Sequence, residues 1–163
     1  ARPLEAGTSR RRLPNCTGVL VRSSADIAHG YDALLSRTRS LAAQPWAADV
    51  VHLVFHERSL GAEHRRAIAA RSPLPLEFID VSATFERGER EVSRWRASAS
   101  PNAACPLRLP GWKRDGYQSM CYFWFIDVVA YVKERCGVML RVDDDVILLE
   151  DVPPKGGEGG EGE

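Results

Sequence analysis

The stretch Val50-Val51-His52-Leu53-Val54-Phe55, followed after an Ala/Arg-rich segment by Leu76-Glu77-Phe78-Ile79-Asp80-Val81, decides the fold. Both runs are short, apolar and rich in β-branched or aromatic residues, as buried strands are. The first strand is read over Asp49 to Glu57, and Gly61 to Arg71 between the two reads as a short helix. Upstream, Thr17-Gly18-Val19-Leu20-Val21-Arg22-Ser23 is another buried strand. From Ala28 to Ala43, the residues Tyr31, Leu34, Leu35, Thr38 and Leu41 recur at helical spacing until Pro45 stops them. Strands alternating with helices in the order β-α-β-α-β predict an α/β fold, Rossmann-like, with a mostly parallel sheet and helices on both faces.

Beyond Val81 the pattern lapses. Ala83 to Arg114 is Ser, Arg, Ala and Pro with Trp95 and Trp112, and reads as a long connecting loop. Tyr117 to Arg135 is the most apolar helix of the chain. Tyr117, Met120, Cys121, Trp124, Val128, Tyr131 and Val132 form one stripe, and Phe123, Ile126 and Val129 make the other side apolar too, so burial nearly all round is expected. Gly137 is placed to end that helix. A strand, Val138 to Val142, follows and runs into Asp143-Asp144-Asp145, after which Val146 to Leu149 is apolar again.

The 163 residues, 44% hydrophobic and 27% charged, suit one globular domain. Lys plus Arg and Asp plus Glu both total 22, so no global charge points to nucleic acid or a membrane surface. No run reaches the length of a membrane span, and an anchor or signal upstream is left open. Residues 1–16 read as a linker. Residues 153–163, ending in Gly and Glu alone from Gly156, are expected to be a disordered tail. Cys16, Cys105, Cys121 and Cys136 contain no C-x-x-C pair, which argues against a zinc ribbon or a thioredoxin-type site. They allow three disulfide connectivities in an oxidising compartment, or buried free thiols in a reducing one. Asn15-Cys16-Thr17 fits the N-glycosylation pattern.

The aspartate run carries the chemistry. Three carboxylates at the C-terminal end of a buried strand lie on the edge where open parallel sheets bind ligands. Packed carboxylates repel, and a divalent cation is the common remedy; such a cation can clamp a diphosphate and stabilise a departing one. Alternation along an extended segment puts Asp143 and Asp145 on one face and Asp144 on the other, which assigns the metal to Asp143 and Asp145.

Asp143-x-Asp145 after an apolar strand and a βαβ region resembles the DxD signature of metal-dependent nucleotide-sugar glycosyltransferases of the GT-A fold. Tyr117-Gln118-Ser119-Met120-Cys121-Tyr122-Phe123 is similar to the Tyr-x-x-Met-Cys-Arg-Phe segment of fungal-type α-1,2-mannosyltransferases. Arg141-Val142-Asp143 stands where that family has Arg-Val-Glu, and Leu20-Val21-Arg22-Ser23 resembles its first strand, Leu-Val-Arg-Asn. Pro45-Trp46 before the second strand also fits. The resemblance implies a GT-A-like nucleotide-sugar-binding domain over residues 17–152. It implies Mn²⁺ and a nucleotide-sugar donor, most simply GDP-mannose, a glycan or glycoprotein acceptor, transfer of a hexose with retention, and a Golgi or secretory-pathway lumen. Position by position it places Arg22 and Ser23 near the nucleotide and Tyr117 in the donor or acceptor pocket. Arg141 would meet a carboxylate or phosphate, and Asp143 and Asp145 would take the metal.

Tyr122 stands where the family has Arg, and Asp144 where it commonly has Pro. A GT-A enzyme places its catalytic carboxylate after the DxD, so the domain is expected to be incomplete, with that residue beyond the end of this chain. Two rival readings use the same aspartates: a phosphohydrolase that activates water at a metal, and a catalytically incomplete binding module. His52 and His56 read as strand-end polar groups rather than metal ligands. Glu57 could face the ligand edge, and Lys113 and Arg114 could meet phosphates.

Overall fold

The computed structural model describes residues 13–21, 29–98 and 116–149, and the side chains of these except at 92, 95–98 and 116–118. Four strands, β1 (Cys16–Val21), β2 (Val51–His56), β3 (Leu76–Asp80) and β4 (Met139–Arg141), form one sheet in the order β3-β2-β1-β4, parallel throughout. Helix α1 (Asp32–Ala42) joins β1 to β2 by way of a 3₁₀ turn at Ala47–Asp49, and α2 (Ala62–Arg71) joins β2 to β3. The α/β architecture read from the apolar runs is therefore present. β1 opens at Cys16, one residue before the expected boundary.

Alternation along the strands sorts the core into two layers. Cys16, Leu20, Leu53, Phe55 and Ile79 pack on one face of the sheet against Phe85, Phe123, Trp124 and Val128. Val19, Val21 and Val54 pack on the other against Tyr31, Leu34, Leu35, Leu60 and Ile68, from α1, α2 and the chain before them. Burial on both faces explains why β1 and β2 read as continuous apolar runs. β3 and β4, expected to be buried as well, stand at the two edges of the sheet: of β3 only Ile79 is buried, and in β4 Leu140 is 48% exposed. Gly18 has a steric role in β1: a Cβ there would stand 2.9 Å from Met139 Sδ and 3.2 Å from Phe55 Cε2, so its absence lets those side chains lie across the strand.

Two segments depart from the sequence reading. The expected loop after Val81 opens instead as α3, Ser82–Ser98. Phe85 and Gly88 turn inward, and a Cβ on Gly88 would come within 3.3 Å of Tyr122 Cδ1, so the glycine sets how closely the two helices approach. The apolar helix begins as α4 (Gly116–Tyr122), widens into a π-helical segment (Phe123–Asp127) and continues as α5 (Val128–Val132). It is not buried all round. Phe123, Trp124 and Val128 face the core, whereas Phe125 is 80% exposed, and Ile126 and Val129 are each 56% exposed. The wider π turn rotates the residues after it, so the inward face collects Asp127 in place of Ile126. Asp127 is buried and accepts a hydrogen bond from Arg87 on α3.

Cys16 and Cys136 are disulfide-bonded, tying the first residue of β1 to the turn that leads into β4; among the described residues Cys121 is a free thiol. With Cys121 a free thiol, the outcome is neither full pairing of the four cysteines nor a set of free thiols. In the glycosylation triplet Asn15 is exposed, while Cys16 and Thr17 are buried within β1. No helix among the described residues is long and apolar enough to cross a membrane.

Candidate functional site

Parallel pairing brings the C-terminal ends of the strands to one edge. Val21 is level with His56, and His56 with Asp80. β4 is shorter: its last residue, Arg141, pairs with Gly18, and the Val142 amide still donates to Gly18 O at 3.0 Å. The chain then turns, closed by a 3.2 Å bond from the Val146 amide to Asp143 O. Asp143 is thus the first residue of a four-residue turn, a position that favours Asp, and Asp144 and Asp145 occupy its centre.

That turn decides where the carboxylates point. Strand alternation ends at Arg141, so it no longer pairs Asp143 with Asp145. Asp144 and Asp145 line a depression of about 310 Å³, together with Asp32, Ala33 and Ser36 at the start of α1 and Ile147. Asp143 is engaged elsewhere: Arg141 grips both of its oxygens, Nε to Oδ1 and Nη2 to Oδ2, each at 2.7 Å. The Arg141 guanidinium also lies over the Trp124 ring, 4.6 Å from its centroid. A bidentate, stacked arginine is held in one geometry. Asp32 receives Arg71 at 3.0 Å.

Below the turn is a buried polar chain that the sequence reading missed. Arg37, on α1, is 0% exposed. Its Nε donates to the carbonyl of Val142 at 2.8 Å, and its Nη2 makes a long contact of 3.5 Å with Thr17 Oγ1. Thr17 Oγ1 lies 2.8 Å from His52 Nδ1, and His52 Nε2 lies 2.9 Å from Ala47 O. A carbonyl only accepts, so Nε2 carries the proton and Nδ1 accepts from the Thr17 hydroxyl, whose oxygen in turn faces Arg37. The chain thus runs from the carbonyl next to Asp143, through α1 and β1, to β2. The signal for Arg37 was its place between Leu34 and Leu41, on the helical stripe with Thr38.

Burial pushes the Arg37 guanidinium down to about 10, while the carboxylates of Asp144 and then Asp143 pull it back up. Burial also lowers His52, against the hydrogen bond to Ala47, and the nearby Arg37 charge lowers it further. Both histidines of β2, read as strand-end polar groups, are buried; His56 closes the strand and its Nδ1 donates to Glu57 O at 2.9 Å.

A pH dependence follows. The folded His52 ring binds its proton less tightly than the unfolded ring, whose ordinary value is 6.5. The neutral ring's contribution to stability is therefore complete above that value and is lost as the pH falls from it toward the depressed folded value. Urea midpoints are expected to fall as the pH drops below about 6.5, and His52→Gln should flatten that part of the profile. Asp80 acts lower on the scale. The Ser82 hydroxyl holds its carboxyl below the usual 3.8, so its contribution disappears only in stronger acid.

Of the residues read as candidates, Arg141 pairs with Asp143, while Asp145 lines the depression with Asp144 and is not brought to either. Arg22, Ser23, Lys113 and Arg114 lie outside the described residues, as does the side chain of Tyr117, whose backbone is in α4. Glu57 follows β2 on the same edge but does not line the depression. Among the described residues, no three His, Cys, Asp or Glu side chains are grouped to hold a metal ion. With Asp143 gripped by Arg141, the turn does not fit a resident divalent cation.

No protein-family profile matches the chain, and no curated protein matches it. Among solved structures it is similar to core-mannan synthase A (CmsA/Ktr4) of Aspergillus fumigatus in its Mn/GDP form, with a TM-score of 0.48 and 12% sequence identity. The match takes in 86% of this chain and 37% of the synthase, so the chain spans little more than a third of that protein's length.

Proposed function

We propose that the chain is the donor-binding part of a nucleotide-sugar glycosyltransferase of GT-A type. The observation that carries the reading is the placement of the acidic turn. It lies at the C-terminal end of β4, on the edge where parallel sheets bind ligands, with Asp144 and Asp145 facing a depression beside the start of α1. The Tyr117 to Phe123 segment and Arg141-Val142-Asp143 support the same reading through their resemblance to α-1,2-mannosyltransferases.

The ligand is then a nucleoside diphosphate sugar, most simply GDP-mannose, that arrives as its complex with a divalent cation such as Mn²⁺. In that complex the cation offsets the diphosphate charge and makes an acidic turn a favourable seat for it. Asp145 and Asp144 face the incoming ligand, and Asp143 would join them only by giving up Arg141. Arg141, stacked on Trp124 and paired with Asp143 through Nε and Nη2, would offer its Nη1 to a phosphate oxygen. Hexose transfer with retention to a glycan acceptor belongs to the whole enzyme that the resemblance implies. A secretory lumen, the Golgi included, suits the Cys16–Cys136 disulfide, since such bonds persist in oxidising compartments.

Calorimetric titration tests the reading. GDP is expected to bind at least tenfold more tightly with Mn²⁺ than with chelator, and Asp144→Asn plus Asp145→Asn should abolish that gain. A gain that survives the double substitution would remove the acidic turn from the site.

A further inference from the structure

We propose that Arg37 is the built-in counter-cation of the acidic turn, a positioning residue that holds Asp143 and Asp144 in place where a divalent ion would otherwise be needed. The guanidinium is fully buried beneath the turn, and its Nε bond to the Val142 carbonyl fixes the peptide unit immediately before Asp143. The carboxylates that attract it most are those of Asp144 and Asp143. Its two polar contacts, Val142 O and Thr17 Oγ1, are both neutral acceptors, so it is the turn that supplies the opposing charge. Arg141 adds a second guanidinium from the side. The repulsion that calls for a metal in a bare aspartate run is thus answered, at Asp143 and Asp144, by the protein itself.

The turn is ordered before any ligand arrives, and a cation binds only when a diphosphate accompanies it. The inference rests on the donor-site reading for its purpose, but its test contains no nucleotide. Failure of nucleotide binding and failure of the counter-cation role are therefore separate results.

The experiment is a double-mutant cycle in urea at low ionic strength, comparing the native chain, Arg37→Met, Asp144→Asn and the double variant, each with Mn²⁺ or with chelator. In the native chain, Mn²⁺ alone should leave the midpoint unmoved, and Asp144→Asn should lower the folding equilibrium constant about fivefold, as losing a half-buried charge partner does. The same Asp144→Asn change should cost much less in the Arg37→Met background. Mn²⁺ should raise the Arg37→Met midpoint, and Arg37→Lys should restore the indifference to Mn²⁺. A purely structural arginine would not alter the response to the cation. If Arg37→Met does not fold without cation, refolding on addition of Mn²⁺ supports the role; if it does not fold in either condition, Asp144→Asn in the native background decides. A native chain stabilised by Mn²⁺ alone, or an Asp144→Asn chain as stable as the native one, would overturn it.

Discussion

Replacing Cys16 or Cys136 by Ser is expected to lower the unfolding free energy by about 3–5 kcal/mol. The cross-link spans a sequence separation of 120 residues, so nearly the whole described domain lies inside the loop it closes. In the chain-entropy account, losing a loop of that length releases a denatured ensemble worth roughly 5 kcal/mol at the upper end. Domains of this size are stable by only about 5–15 kcal/mol. The loss is therefore large enough to leave much of the chain unfolded at physiological temperature. Cys16→Ser, Cys136→Ser and the double substitution should all give the same midpoint in urea, because each breaks the same bond. Reductant should lower the native chain to that midpoint and leave the variants unmoved. Unequal single variants would mean that one cysteine has a role outside the bond.

The second large effect is expected at Phe55. This side chain is 0% exposed in the central part of the sheet and makes edge contacts with Phe123, Trp124 and Tyr131, at centroid distances of 5.3, 5.9 and 6.1 Å. Phe55→Ala leaves a cavity where the π-helical segment rests on the sheet, and should cost about 3–5 kcal/mol. The loss reaches the candidate site through one further contact. Trp124 stands between Phe55 and Arg141, so a loosened Trp124 loosens the arginine that grips Asp143. Phe55→Leu, which keeps most of the volume, should lose much less. Equal losses for the two variants in chemical denaturation would show that the ring contacts, not the volume filled, carry the effect.

The elements legible in the sequence were those whose burial matches their period. β1 and β2 are apolar runs because both faces of the sheet are covered there, whereas β3, at the edge, buries only Ile79. α1 announced itself through Tyr31, Leu34, Leu35, Thr38 and Leu41, of which all five are buried. α3 was hidden by composition: its surface is Glu and Arg, and its helical recurrence of Val81, Phe85, Gly88, Val92 and Trp95 includes a glycine that reads as a break. The π-helical segment left no trace in the sequence pattern, and with it went the prediction that Ile126 and Val129 are buried.

At the site, the sequence located the aspartate run and its strand but misjudged its local geometry. Alternation is a property of extended chain, and here the chain turns within the run itself, with Asp143 opening the turn and Asp144 and Asp145 at its centre. The polar chain beneath was missed for a different reason. Arg37, Thr17 and His52 are polar residues at positions whose neighbours on the same face are apolar, and only tertiary packing shows that they satisfy one another. Arg37 does carry a trace of this in the sequence, standing between Leu34 and Leu41 on an otherwise apolar stripe.

The donor-site reading meets its most direct test in one calorimetric titration, with GDP added to the native chain in the presence of Mn²⁺ and again with chelator. The expected result is saturable binding of one GDP per chain that is at least tenfold tighter with the cation, and no heat from Mn²⁺ added alone. Equal affinity with and without Mn²⁺, or no saturable binding in either condition, would contradict it.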